Sequence, residues 1–107
     1  MKRKQTIGGI EYNFEFTNRS FIELDDIYEN GGEIYNGVLN GDKHISNSVK
    51  LVAVSCVEGM TEDFILDNAT GQEFVAISSL ANELIYDYMG INKTESSGDN
   101  SEDSKKK

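Results

Sequence analysis

The sequence predicts a mainly α-helical fold with α+β character at the N-terminus. It reads as a short N-terminal β-hairpin followed by four to five short helices and a disordered C-terminal tail. Three observations predict it. A Gly8-Gly9 pair precedes a clean period-two alternation. From Phe21 to Tyr88, apolar residues recur mainly at three- and four-residue spacing. After Asn92 no apolar residue remains.

The hairpin is placed by its turn. Gly8-Gly9 tolerates the positive φ values of a primed two-residue turn. In Ile10-Glu11-Tyr12-Asn13-Phe14-Glu15-Phe16 the apolar residues Ile10, Tyr12, Phe14 and Phe16 point to one side, and Glu11, Asn13 and Glu15 to the other. A lone hairpin is marginal in water, so this aromatic face must pack on the helices.

Helix signals follow at once. Thr17 or Asn18 can cap, and Ser20 with Glu23 offers a second capping box. Phe21, Leu24, Ile27 and Tyr28 form the apolar stripe, with Glu23, Asp25, Asp26 and Glu29 mainly outside it. Asn30-Gly31-Gly32 is read as the stop. Glu33–Leu39 is a short helix with Ile34, Tyr35 and Val38 inward, broken by Asn40-Gly41-Asp42. The run from His44 to Val57 is the most apolar. Its β-branched content also suits a buried strand, but Ile45, Val49, Val52 and Cys56 share a helical face, which favours a central helix. Gly59 closes it, and Thr61 caps a short helix carrying Phe64, Ile65 and Leu66. Thr70-Gly71-Gln72-Glu73 is a capping box. It opens a helix striped by Phe74, Ile77, Leu80, Ala81, Leu84, Ile85 and Tyr88, and Gly90 ends it.

The 107 residues suit a single domain over 1–91, with a polar tail over 92–107 that has nothing to bury and is expected to be disordered. The net charge of -9 belongs to the domain: residues 1–91 hold 15 acids against 6 bases, three of those bases lying in the first four residues. Such a surface repels nucleic acid phosphates and anionic membranes and tolerates a basic partner. No apolar run approaches the ~20 residues that span a bilayer, and no apolar stretch follows the basic N-terminus as in a signal peptide. With one cysteine, Cys56, a cytosolic protein is the expectation.

No residues combine into a catalytic, cofactor-binding or metal-binding site. The one histidine, His44, and Cys56 are twelve residues apart and too few for a zinc site. An EF-hand loop starting at Asp26 would put Tyr28 and Gly37 where oxygen ligands are required. The glycine pairs fit turns and caps, not phosphate loops. A binding protein is therefore expected. Its candidate contact residues are Tyr12, Phe14, Phe16, Phe21, Asp25, Asp26 and Tyr28, with core packing taking most of the rings. A hairpin edge can also pair between copies, so self-association is a further expectation.

The stretch Ile7-Gly8-Gly9-Ile10-Glu11-Tyr12-Asn13-Phe14-Glu15-Phe16-Thr17-Asn18-Arg19-Ser20-Phe21-Ile22-Glu23-Leu24-Asp25-Asp26 resembles the opening of the small tail assembly chaperones of long-tailed bacteriophages. Those proteins often begin with a glycine turn, a Tyr-x-Phe-x-Phe-Thr strand, and a helix with Arg early and Glu-Leu-acidic later. The resemblance covers residues 5–90. It implies a mainly helical protein of the host bacterial cytoplasm, absent from the mature virion. Such a protein binds the tape measure protein and recruits tail tube protein. Many of the family have a longer form made by ribosomal frameshifting, and Lys105-Lys106-Lys107, with A-rich codons, is compatible with a slippery site. The alternatives are a small head–tail connector or tail completion protein, and an enzyme or regulator of host proteins.

Overall fold

The structure is a computed structural model and describes residues 2–91. The tail expected over 92–107, with its terminal lysines, lies outside the described residues. Two strands, β1 (Arg3–Ile7) and β2 (Ile10–Phe14), precede five helices: α1 (Asn18–Tyr28), α2 (Gly31–Asn40), α3 (His44–Ser55), α4 (Glu62–Asn68) and α5 (Gly71–Met89). The expected hairpin-plus-helices fold is the one observed.

The hairpin is antiparallel, in a register running from Arg3↔Phe14 to Ile7↔Ile10. Only Gly8 and Gly9 are left for the turn, at φ 63° and 83°, both positive as a primed turn demands. Ile7 and Phe14 face inward and are fully buried, and Phe16, just past the strand, is buried too. Ile10 lies on the same face, opposite Ile7, yet is exposed. Alternation fixes a side chain's direction and not its depth, and α5 packs against β1, the strand that carries Ile7.

Thr17 caps α1. Its hydroxyl accepts from Ser20 N–H (3.2 Å) while Thr17 N–H donates to Ser20 Oγ (3.1 Å). Ser20 thus closes the box at the third helical position, where the alternative reading made it the cap. The stop was misplaced. Helix α1 ends at Tyr28 and is capped by Glu29, which takes the left-handed conformation at φ 65°, and Gly31-Gly32 begins α2 instead of ending α1. The cause is a close corner. A Cβ on Gly31 would meet Asp25 N at 2.8 Å, and Gly31 N–H donates to Asp25 Oδ1 at 3.0 Å.

Helix α3 is the centre, packed against α1, α2, α4 and α5. Ser48, Val49 and everything from Leu51 to Cys56 are buried, so burial runs round the whole helix. Its apolar pattern therefore has no clean stripe, and Ile45 in the first turn is exposed against expectation. Just beyond α3, Cys56 makes an isolated antiparallel bridge to Phe14 of β2, and the chain then turns at Val57 and Glu58. Glu15 N–H donates to Ser55 O and Val57 N–H to Asn13 O, each at 2.8 Å. Thr61 caps α4, with Ile65 inward and Leu66 exposed. Thr70 and Glu73 form the expected capping box of α5, whose Ile77, Leu80, Ala81, Leu84 and Ile85 complete one core with the hairpin and α1–α4.

Candidate partner-binding surface

The seven candidate contact residues divide into two groups. Phe14 and Phe16, at 0% and 3% exposure, belong to the core and present nothing to a partner. Phe21 is half-buried in a four-ring cluster with Phe16, Tyr35 and Tyr88. Its ring centroid lies 5.5 Å from Phe16 and 4.7 Å from Tyr35, and Phe16 stands 5.0 Å from Tyr88, edge to face. These distances suit offset and T-shaped packing. The cluster joins the exit of β2 to α1, α2 and α5, and the Tyr88 hydroxyl donates to Asn18 Oδ1. Tyr12 packs edge-on against Phe64 of α4 at 6.0 Å. Tyr28 donates its hydroxyl to Glu62 Oε1 at 3.1 Å and carries Lys50 Nζ 5.5 Å from its ring centroid. Burial, then Glu62, raises the Tyr28 phenol well above its ordinary range. The aromatic candidates thus serve internal packing, wholly or in part.

Asp25 and Asp26 are both exposed, on α1. Asp25 is committed to Gly31 N–H and so to the α1–α2 corner. The carboxylate of Asp26, like those of Glu23 and Glu29, has no hydrogen bond or ion pair among the described residues. Two residues were missed by sequence reasoning. Ile22 is 63% exposed and Ile27 is 60% exposed, both on this helix. Spacing alone places Ile27 in the inward stripe. At 100° per residue, Phe21, Leu24 and Tyr28 cluster tightly, while Ile27 lies roughly 90° from their mean direction. Helical angle was the signal that could have found it. Ile22 and Ile27 thus lie about 140° apart on the outer side of α1 and flank Asp26 and Glu23, with Glu29 beside Ile22 and Arg19 in the first turn.

Chemistry elsewhere is sparse. His44 Nε2 lies 3.4 Å from Asn82 Oδ1. Cys56 is buried, and burial pushes its thiol up, away from the thiolate a nucleophile needs. Among the described residues no group of three or more His, Cys, Asp or Glu is placed to hold a metal ion, and no helix is long and apolar enough to cross a membrane. Compared with protein-family models, curated proteins and solved structures, the chain matches none of them.

Proposed function

We propose that this chain is a non-enzymatic tail assembly chaperone of a long-tailed bacteriophage. It binds the tape measure protein in the host cytoplasm, recruits tail tube subunits and leaves before the virion is complete. The observation that carries the reading is the outer side of α1, where two exposed isoleucines flank carboxylates that have no partner among the described residues. A holding protein needs apolar contact to keep an amphipathic helix soluble and an acidic rim to select basic flanks. The layout of residues 7–26, which ends on this face, supports the family assignment.

The test is co-expression with the tape measure protein of the same phage, followed by co-purification. Ile22→Ser and the pair Glu23→Lys with Asp26→Lys should each lower capture, with helicity unchanged by circular dichroism. Asp25 is left intact because its carboxylate holds Gly31. Capture unaffected by these changes removes the face from consideration. Finding the chain in purified virions at fixed copy number would replace the chaperone reading with that of a connector or tail completion protein.

A further inference from the structure

Among the described residues, the hairpin has one edge bonded to the segment after α3 and one open edge. In a two-residue hairpin the pair flanking the turn, Ile7↔Ile10, exchanges both backbone bonds, and alternate pairs follow. Gln5↔Tyr12 and Arg3↔Phe14 are therefore bonded inward, and Glu11, Asn13 and Glu15 of the second strand turn outward. The bonds of Asn13 O and Glu15 N–H to the segment after α3 agree with this register. On β1 the residues that turn outward are Lys4 and Thr6. Their N–H groups have no backbone partner among the described residues. Between this edge and α5 lies a groove of about 420 Å³, lined by residues 2–5 of the strand and by Ala76, Ser79, Leu80 and Glu83.

We propose that this edge is a strand-addition site for an extended peptide that alternates acidic and apolar residues. Strand addition supplies affinity through main-chain bonds and specificity through alternate side chains. One face of an added strand would carry its side chains over the groove, whose helix wall sets the apolar Ala76 and Leu80 beside Ser79 and Glu83. On the opposite face, Lys4 points away from the core beside Thr6 and has no ion pair among the described residues. Lys2 shares that face and, among the described residues, is held by Glu15 at 3.9 Å. Arg3, turned inward, is already neutralised by Asp87 at 2.7 Å and Glu83 at 3.5 Å. The open edge is thus the basic place on an anionic domain. That charge disfavours a second copy, which would bring two such edges together, and favours carboxylates opposite Lys2 and Lys4. The site is separate from the outer face of α1 and does not depend on the chaperone reading.

The full chain is titrated with a synthetic peptide of alternating glutamate and valine, and with its lysine–valine counterpart, and followed by amide NMR. The glutamate peptide should shift Lys4, Thr6, Ala76 and Ser79 and slow exchange of the Lys4 and Thr6 amides. Lys4→Glu should weaken it roughly tenfold and reverse the preference between the two peptides. Thr6→Pro removes an outward donor and leaves the inward ladder intact, so it should abolish binding. Equal binding of both peptides, or shifts confined to other surfaces, overturns the proposal. So does protection of Lys4 and Thr6 in the peptide-free protein: with a dimer by sedimentation it gives the edge to a second copy, and in a monomer it gives the edge to residues 92–107.

Discussion

Two serines on α3 make a matched pair with opposite expectations. Ser48 and Ser55 are both buried, on the same helix. Ser55 Oγ donates to Leu51 O at 2.8 Å, whereas Ser48 Oγ has no hydrogen-bond partner among the described residues. A buried hydroxyl left unpaired costs about 1–3 kcal/mol in lost hydration. Replacing Ser48 by alanine removes that cost and adds up to ~0.7 kcal/mol of helix propensity. The vacated oxygen forfeits a few dispersion contacts, on the order of 0.5 kcal/mol. Ser48→Ala should therefore stabilise the fold by about 1–2 kcal/mol, a rise in Tm of roughly 5–15 °C for a domain of this size. Ser55→Ala loses a satisfied bond worth about 1 kcal/mol and sits at the last helical residue, where propensity returns little. It should lower Tm by roughly 3–8 °C. Thermal melts and urea titrations of both variants, at one pH and protein concentration, read the two shifts. If Ser48→Ala lowers Tm, its hydroxyl has a partner after all, such as a buried water, and the argument fails.

Three other outcomes follow from the packing. In Gly37→Ala the new Cβ would lie 2.9 Å from Asp42 O and against Asn47 Nδ2, so despite better helix propensity the α2–α3 corner should lose about 1–2 kcal/mol in urea unfolding. Phe16→Leu keeps much of the volume but breaks three ring contacts, and should cost about 1–2 kcal/mol while weakening the near-ultraviolet circular dichroism of the tyrosines. Hydrogen bonds from Thr70 and Gly8 N–H hold the Glu73 carboxyl below its ordinary range, and bonds from Asn13 do the same for Glu58. A depressed folded-state value means stability that is present above about pH 4.3 and lost as pH falls through the folded value. The protection factors of the Gly8 and Asn13 amides, which are exchange rates corrected for their intrinsic slowing in acid, should therefore fall on acidification, and Glu73→Gln should flatten the response at Gly8.

Legibility followed the range of the interactions. The Gly8-Gly9 turn and the Thr70–Glu73 box are set by neighbours within a few residues, so they could be read directly. The choice of helix over strand for α3 was readable from spacing, although burial round the helix blurred its face. Gly31-Gly32 was misread because the sequence shows a glycine's freedom and not its neighbours. The neighbour was the Asp25 backbone, reached only once the helices turn a corner. Arg3 and Asp87 are 84 positions apart, and nothing local announces their paired bonds at 2.7 and 3.0 Å. At the candidate surface the acids of α1 were legible and the exposed isoleucines were not. An apolar residue near the edge of a stripe has its exposure decided by the width of the facing helix.

The anionic charge separates into two kinds of carboxylate. Glu58 accepts from Asn13 N–H and Nδ2, Glu73 accepts from Gly8 N–H, and Glu83 and Asp87 hold Arg3. All four fasten the hairpin, Glu58 to the α3–α4 connection and the other three to α5, which is what a two-stranded sheet needs to persist in water. Glu23, Asp26 and Glu29 fasten nothing among the described residues. The same chemical group should then fail in two different ways. Glu73→Ala should lower Tm and free the turn, yet leave capture through α1 intact below the melting point. The pair Glu23→Lys with Asp26→Lys should leave Tm nearly unchanged and weaken capture, more so at low salt. Measuring both quantities on both variants crosses the two roles. A single shared pattern, with stability and capture falling together in each, would mean that the charge acts as one undivided field and that α1 has no special part in binding.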